Sequence, residues 1–117
     1  MNTLRFEKTG KVFAALSHPT RLAVFRRLLQ VGEQGLLAGD ISDELNVRQN
    51  TMSTNLTILL NADVIIKKRE GRAVRYQINL NTLNEILGFI VYDCCDDPAA
   101  LLQNLIKGPA QPSVPRV

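Results

Sequence analysis

QNTMSTNLTILLNA, residues 49–62, decides the reading of this chain. With successive side chains about 100° apart around a helix, Met52, Leu56, Leu59 and Leu60 gather on one side. Asn50, Ser53, Thr54, Thr57 and Asn61 fall at i, i+3, i+4, i+7 and i+11 on the opposite side. A face meant only for water usually carries charges, because Ser, Thr and Asn are mediocre helix formers whose side chains compete for the backbone. Packing short, neutral hydrogen-bonding groups there sacrifices helix propensity, and nucleobase edges and phosphates are partners that need such groups.

The segment C-terminal to this helix suits the same partner. Residues 64–79 read as two strands around Glu70-Gly71, with Val74, Tyr76 and Ile78 alternating against Arg75, Gln77 and Asn79. Lys67, Lys68, Arg69, Arg72 and Arg75 stand here against a single Glu70, a local charge of +4 in a chain whose net charge is +3. Residues 81–97 carry Glu85, Asp93, Asp96 and Asp97 without a base, so a polyanion meets the hairpin and avoids the far end.

Working towards the N-terminus, Asp40 is suited to cap a helix running through Asn46, with Ile41 and Leu45 inward and Leu36-Leu37 as a very short strand before it. Ser17-His18-Pro19 starts a helix over 20–30 that carries Leu22, Phe25, Leu28 and Leu29 at helical spacing, and residues 3–16 form another, irregular past Gly10. Towards the C-terminus, Asn81 or Thr82 opens a longer helix in which Leu83, Ile86, Leu87, Ile90, Val91 and Cys94 make a nearly unbroken apolar stripe. Pro98, after Asp97 as cap, opens a final short helix. These elements make one domain over residues 1–107, followed by a Pro-rich tail over 108–117 that is expected to be extended or disordered.

At 117 residues the chain supports a single modest core. It has no apolar run near the roughly 20 residues of a membrane span and no signal-like N-terminus, so a cytoplasmic location off the membrane is the expectation. One histidine, no tryptophan and no nucleophile elbow, phosphate loop, HExxH or CxxC spacing leave no catalytic residues to name, so an enzyme is not expected, nor is a required cofactor. His18 reads as a capping or packing residue, since no second histidine joins it.

The fold these elements compose is expected to be mainly α with a small β-hairpin, a winged helix-turn-helix. Particular residues resemble the ArsR/SmtB repressors. Leu16-Ser17-His18-Pro19-Thr20-Arg21-Leu22 is similar to the opening of that family's second helix, and Asp40-Ile41-Ser42-Asp43-Glu44-Leu45 to its third. Ser53, Leu56, Leu59 and Ala62 match the recognition helix, and Arg69-Glu70-Gly71-Arg72 through Arg75-Tyr76 the wing. The resemblance covers roughly residues 10–95 and departs at two places. Asn55 stands where the family often has His, which is expected to alter the operator sequence. Asp63 stands where it often has Gly, and Asp tolerates the left-handed conformation needed there.

The resemblance implies a homodimer pairing its first and last long helices through Phe6, Phe13, Leu83, Ile86, Leu87, Ile90 and Val91. It further implies double-stranded operator DNA as the partner, with half-sites roughly 34 Å apart and one polar helix in each major groove. Gln49 and Asn50 suit adenine edges, Arg48 guanine or phosphate, and Ser53, Thr54 and Thr57 phosphates and thymine methyls. Lys67, Arg69 and Arg72 of the wing then meet the backbone or minor groove beside it.

The resemblance also frames Cys94-Cys95. The family's zinc or nickel site on the last helix needs several histidines, and none occurs after His18. Its arsenic site near the third helix needs cysteines where this chain has Leu36 to Asp40. The pair instead resembles an arsenic-responsive variant with vicinal cysteines at the end of the last long helix, without the third cysteine often found there. Neighbouring helical residues point about 100° apart and do not close a disulfide readily. Trivalent arsenic or antimony forms covalent bonds to sulfur regardless, so an arsenical or antimonite is the expected inducer at Cys94 and Cys95. Simple burial of the pair in the core, a redox or reactive-sulfur switch, and a dimeric interaction module without DNA binding stand as alternatives.

Overall fold

The computed structural model describes residues 3–108. Helices α1 (Thr3–Leu16), α2 (Pro19–Val31), α3 (Ala38–Leu45) and α4 (Gln49–Asn61) form the first half, with the two-residue strand β1 (Leu36–Leu37) just before α3. Strands β2 (Ile65–Glu70) and β3 (Ala73–Ile78) come next, and α5 (Leu80–Gly88) and α6 (Pro98–Lys107) close the order. Strand β1 pairs antiparallel with β3, giving a sheet of order β1-β3-β2. Val12 and Ala15 of α1, Val24 and Leu28 of α2, Ile41 of α3, Met52, Leu56 and Leu59 of α4, Ile65, Ile78 and Ile86 make one core.

Local chemistry accounts for the element ends. His18 accepts a hydrogen bond from the Thr20 amide through Nδ1 at 3.2 Å, Asn79 caps α5 through the Thr82 amide at 3.3 Å, and Asp97 caps α6 through the Ala100 amide at 3.1 Å. Helices α3 and α4 both end on a left-handed residue that is not glycine: Asn46 (φ 53°) and Asp63 (φ 59°). In each case two successive amides fold back onto the last turn, Asn46 to Asp43 and Val47 to Ser42, then Asp63 to Leu60 and Val64 to Leu59, which is the Schellman pattern. Asn and Asp are the side chains that accept this conformation at least cost after glycine. Gly35 is required for a different reason. Its φ of 62° brings the start of β1 so close to β3 that a Cβ would collide with the Tyr76 carbonyl.

Three expectations are corrected. Helix α3 starts at Ala38, with Leu37 at the cap position, so Asp40 lies in the first turn, where its carboxylate favours the positive helix end without capping it. Helix α1 runs unbroken through Gly10. The last long helix differs most. It is α-helical to Gly88 and then widens into a π turn over Phe89–Asp93, closed by the Cys94 amide on the Phe89 carbonyl at 3.1 Å. The extra residue in that turn moves the stripe out of register. Ile86, expected between two copies, is 7% exposed and belongs to this chain's own core, with Leu83 packed against it. Leu87 and Ile90 face outward, as do Phe6 and Phe13 of α1, and Val91 is half-buried. Phe6 meets Phe89 edge to face with ring centroids 5.8 Å apart, which holds α1 against the π turn. The Pro-rich tail beyond Gly108 lies outside the described residues.

One buried group works against stability. Thr82 is 1% exposed and, among the described residues, its hydroxyl has no hydrogen-bond partner. A buried hydroxyl without a partner costs about 1–3 kcal/mol, so Thr82→Val, which keeps the shape, raises the unfolding free energy by about 1 kcal/mol in urea titration.

Candidate nucleic-acid interface

The helix-turn-helix is α3, the turn Asn46-Val47-Arg48, and α4. Burial of Met52, Asn55, Leu56 and Leu59 fixes the rotation of α4, and Gln49, Asn50, Ser53, Thr54 and Thr57 all lie on the exposed arc that remains. Arg48, at the position before the helix, is exposed and offers no side-chain acceptor to the first turn. The threonine hydroxyls are parked on their own helix: Thr54 donates to the Asn50 carbonyl at 3.2 Å and Thr57 to the Ser53 carbonyl at 2.9 Å. Each keeps an oxygen lone pair available, while its methyl is suited to a thymine methyl. Thr51 is exposed beside them, at the margin of the arc, where the i, i+3, i+4 count does not select it.

Asn55 corrects an expectation. Its side chain is 6% exposed, accepts from Arg21 at 3.1 Å and donates to the Thr51 carbonyl at 3.2 Å. It therefore holds α4 in place and does not read a base, so the departure from His at this position concerns packing.

The hairpin register sorts the wing charges. Directly opposed residues of an antiparallel pair share a face. Ile65 opposes Ile78, Lys67 opposes Tyr76 and Arg69 opposes Val74, so Lys67 and Arg69 lie on the side of Tyr76. Tyr76 lines a cleft with Gln49, Met52 and Ser53, so this is the α4 side of the sheet, and burial raises its phenol pKa. Lys68 opposes Arg75 on the other side. There Arg75 donates to Glu70 at 2.8 Å and to the Gln34 carbonyl at 3.0 Å, and the hydrogen bond from Arg75 holds the Glu70 carboxyl below its ordinary value. Arg75 is thus occupied in the protein. Lys67 and Arg69 carry exposed charge on the α4 side and Lys68 on the reverse, while Arg72 is exposed in the two-residue loop Gly71-Arg72, where Gly71 has φ 62°.

Cys94 and Cys95 follow the π turn, the first exposed and the second half-buried, both free thiols. Neither belongs to the buried core. The Cys95 thiol donates to the Ile90 carbonyl, with sulfur and oxygen 3.1 Å apart. Just before the pair, Asp93 accepts from Arg5 of α1 at 3.3 Å, and Lys8 of α1 pairs with Glu85 of α5 at 3.2 Å. Among the described residues no three His, Cys, Asp or Glu side chains converge as a metal site, and no helix is long and apolar enough to cross a membrane.

A neutral reading helix beside a basic two-stranded wing defines a winged helix-turn-helix DNA-binding domain. Residues 16–67 match the helix-turn-helix domain family. The transcriptional repressor SdpR of Bacillus subtilis is 33% identical over 83 residues, covering 70% of this chain and 88% of that protein. The HTH-type transcriptional regulator MJ1325 of Methanocaldococcus jannaschii is 31% identical over 86 residues, covering 74% and 94%. The fold is that of an ArsR-like transcriptional regulator from Rhodococcus sp. RHA1 (TM-score 0.66, 22% identity, covering 87% of this chain and 90% of that one). It is also that of the homodimeric winged helix-turn-helix DNA-binding domain Mb0332 from Mycobacterium bovis (TM-score 0.60, 20% identity, covering 91% and 84%). The chain belongs to the helix-turn-helix transcriptional regulators that include SdpR and MJ1325, and it shares the winged fold of ArsR-like regulators. Its relatives are regulators, not enzymes, in keeping with a sequence that offers no catalytic set.

Arg72→Ala is expected to weaken binding to DNA of any sequence and to reduce the slope of log affinity against log salt by about one, measured by fluorescence anisotropy across a salt series. Arg75→Ala, whose guanidinium is committed to Glu70 and Gln34, changes that slope less.

Proposed function

We propose that this chain is a homodimeric repressor that leaves its operator when a trivalent arsenical bridges Cys94 and Cys95. The observation that carries this reading is a pair of free, adjacent thiols, both reached by solvent, at the end of a π turn that is tied to α1. The homodimer is supported by the outward apolar side chains Phe6, Phe13, Leu87 and Ile90 and by the homodimeric Mb0332 domain of the same fold. The acidic, cysteine-bearing end of the chain lies apart from the wing in charge as well as in sequence, so inducer and DNA need not compete for one surface.

The number of sulfurs sets the ligand chemistry. Methylarsenite carries two exchangeable hydroxyls; two thiols displace both, forming two As–S bonds and releasing two waters, with no change in oxidation state. Arsenite and antimonite carry three, so on two sulfurs each keeps one hydroxyl. No third cysteine is present, and methylarsenite is therefore the ligand that the pair satisfies fully.

Bond formation at Cys95 removes the proton it donates to Ile90 and with it one tie of the π turn. Asp93 and its partner Arg5 are adjacent, so rearrangement there reaches α1. In a two-fold dimer, a shift of α1 and the π turn changes the separation of the two reading helices from one turn of DNA. An allosteric coupling of about 1–3 kcal/mol corresponds to about 5- to 150-fold weaker operator binding.

The test is an electrophoretic shift with the duplex that the wild-type protein selects from a randomised library. Methylarsenite is expected to release the wild type and to leave Cys94→Ser/Cys95→Ser bound. Equal release of both places the sensor elsewhere. Release by diamide or polysulfide with reversal by dithiothreitol, and none by arsenicals, identifies a redox switch instead.

A further inference from the structure

We infer that Arg21 is the positioning residue that fixes the pose of the reading helix α4 against the end of α1. The inference rests on α4 reading DNA and is independent of which inducer acts at the cysteines.

Arg21 lies in the first turn of α2 and is half-buried. Its Nε donates to the Ala15 carbonyl in the last turn of α1 at 2.5 Å, and a terminal nitrogen donates to Asn55 Oδ1 at 3.1 Å. The last carbonyls of a helix have no partner within it. Ala14 finds one in Ser17, whose amide and hydroxyl both reach it, and Ala15 finds one in Arg21. A cation at the negative end of α1 also complements the helix dipole.

On the other side, Asn55 is buried, and its amide group donates to the Thr51 carbonyl one turn back in α4. The guanidinium is flat, with its donors held in a fixed fork, so engaging Ala15 and Asn55 together sets the angle between α1 and α4 as well as their spacing. A lysine ammonium has three donors on one flexible point and does not fix the direction of one acceptor relative to the other. Asn55 shares the α4 segment that carries Asn50, Ser53, Thr54 and Thr57, and a rotation of α4 by a fraction of a turn moves all four off the base edges. Phosphate contacts from the wing survive such a rotation, because they do not depend on the phase of α4. Arg21 is therefore expected to control discrimination between sequences and to leave general affinity for DNA in place.

There is a competing role, for which the surroundings are suitable. Arg21 also borders an open hollow of about 460 Å³ with His18, Thr20, Thr51 and Thr54, beside the reading residues, where a phosphate could be met directly. Salt dependence separates the two, since a lost phosphate contact lowers the slope by about one and a lost positioning contact does not.

The experiment uses the intact homodimer with two duplexes, the one selected by the wild type from a randomised library and a scrambled duplex of equal composition. Arg21→Met and Asn55→Leu each remove one end of the tie, and Asn55→Asp keeps an acceptor for Arg21. The expected result is a loss of discrimination of about tenfold in Arg21→Met and in Asn55→Leu, with no further loss in the double variant, an unchanged salt slope, and discrimination retained in Asn55→Asp. Melting temperature and dimer mass are recorded for every variant, and Asn55→Leu and Asn55→Asp carry the test if Arg21→Met does not fold. Wild-type discrimination in Asn55→Leu, additive losses in the double variant, or a slope lower by about one in Arg21→Met each overturn the inference. A wild-type protein that selects no duplex overturns instead the reading of α4 on which it rests.

Discussion

The rotational phase of α4 governs everything this molecule does at its surface. Met52, Leu56 and Leu59 are locked into the core, so the neutral arc of Gln49, Asn50, Ser53, Thr54 and Thr57 has only one direction in which to point. Both helices of the helix-turn-helix are ended by the same device, a left-handed residue that lets the neighbouring amides return to the last turn. Arg21 adds a polar tie from the outside of α4 through Asn55. A helix held by apolar contacts alone can slip by part of a turn at modest cost, whereas a directional hydrogen bond to a buried amide resists that motion.

Charge is distributed to suit this geometry. The hairpin places Lys67 and Arg69 on the side of Tyr76 and α4, while Glu70 and Arg75 neutralise each other on the reverse, next to Lys68. The α4 side of the hairpin thus carries two exposed cations, Lys67 and Arg69, against one, Lys68, on the reverse. Around α5 and the π turn, Asp93 and Glu85 are engaged by Arg5 and Lys8 of α1. The two ion pairs join α1 to α5 and the π turn, so α1 is in contact with both the cysteine-bearing end of the fold and, through Ala15 and Arg21, the reading helix.

The π turn changes the phase of the last part of the apolar stripe relative to its start. With an uninterrupted α-helix, Leu83 to Val91 would present one seam. Ile86 and Leu87 precede the turn and already point apart, Ile86 into the protomer's core and Leu87 outward, while the turn re-phases Ile90 and the thiols that follow it. Widened turns of this kind recur at functional sites because a small local change can add or remove the extra residue.

Sequence alone determined the order and type of the elements, the neutral face of α4, the basic hairpin and the caps at His18 and Asp97, since these depend on side chains a few residues apart along one helix or strand. At Asp63 the residue type and the resemblance only allowed a left-handed conformation, which the structure shows. Only the tertiary structure decided that Asn55 faces Arg21 and not DNA, that Arg75 is spent on Glu70 while Lys67 and Arg69 face α4, that Ile86 is core, and that a π turn precedes Cys94. The periodicity of a helix gives an angle around its axis, but two apolar positions at the same angle differ in burial according to which neighbour lies opposite. A polar side chain's partner is likewise set by residues brought together from distant parts of the chain, as Arg21 and Asn55 are from 34 positions apart.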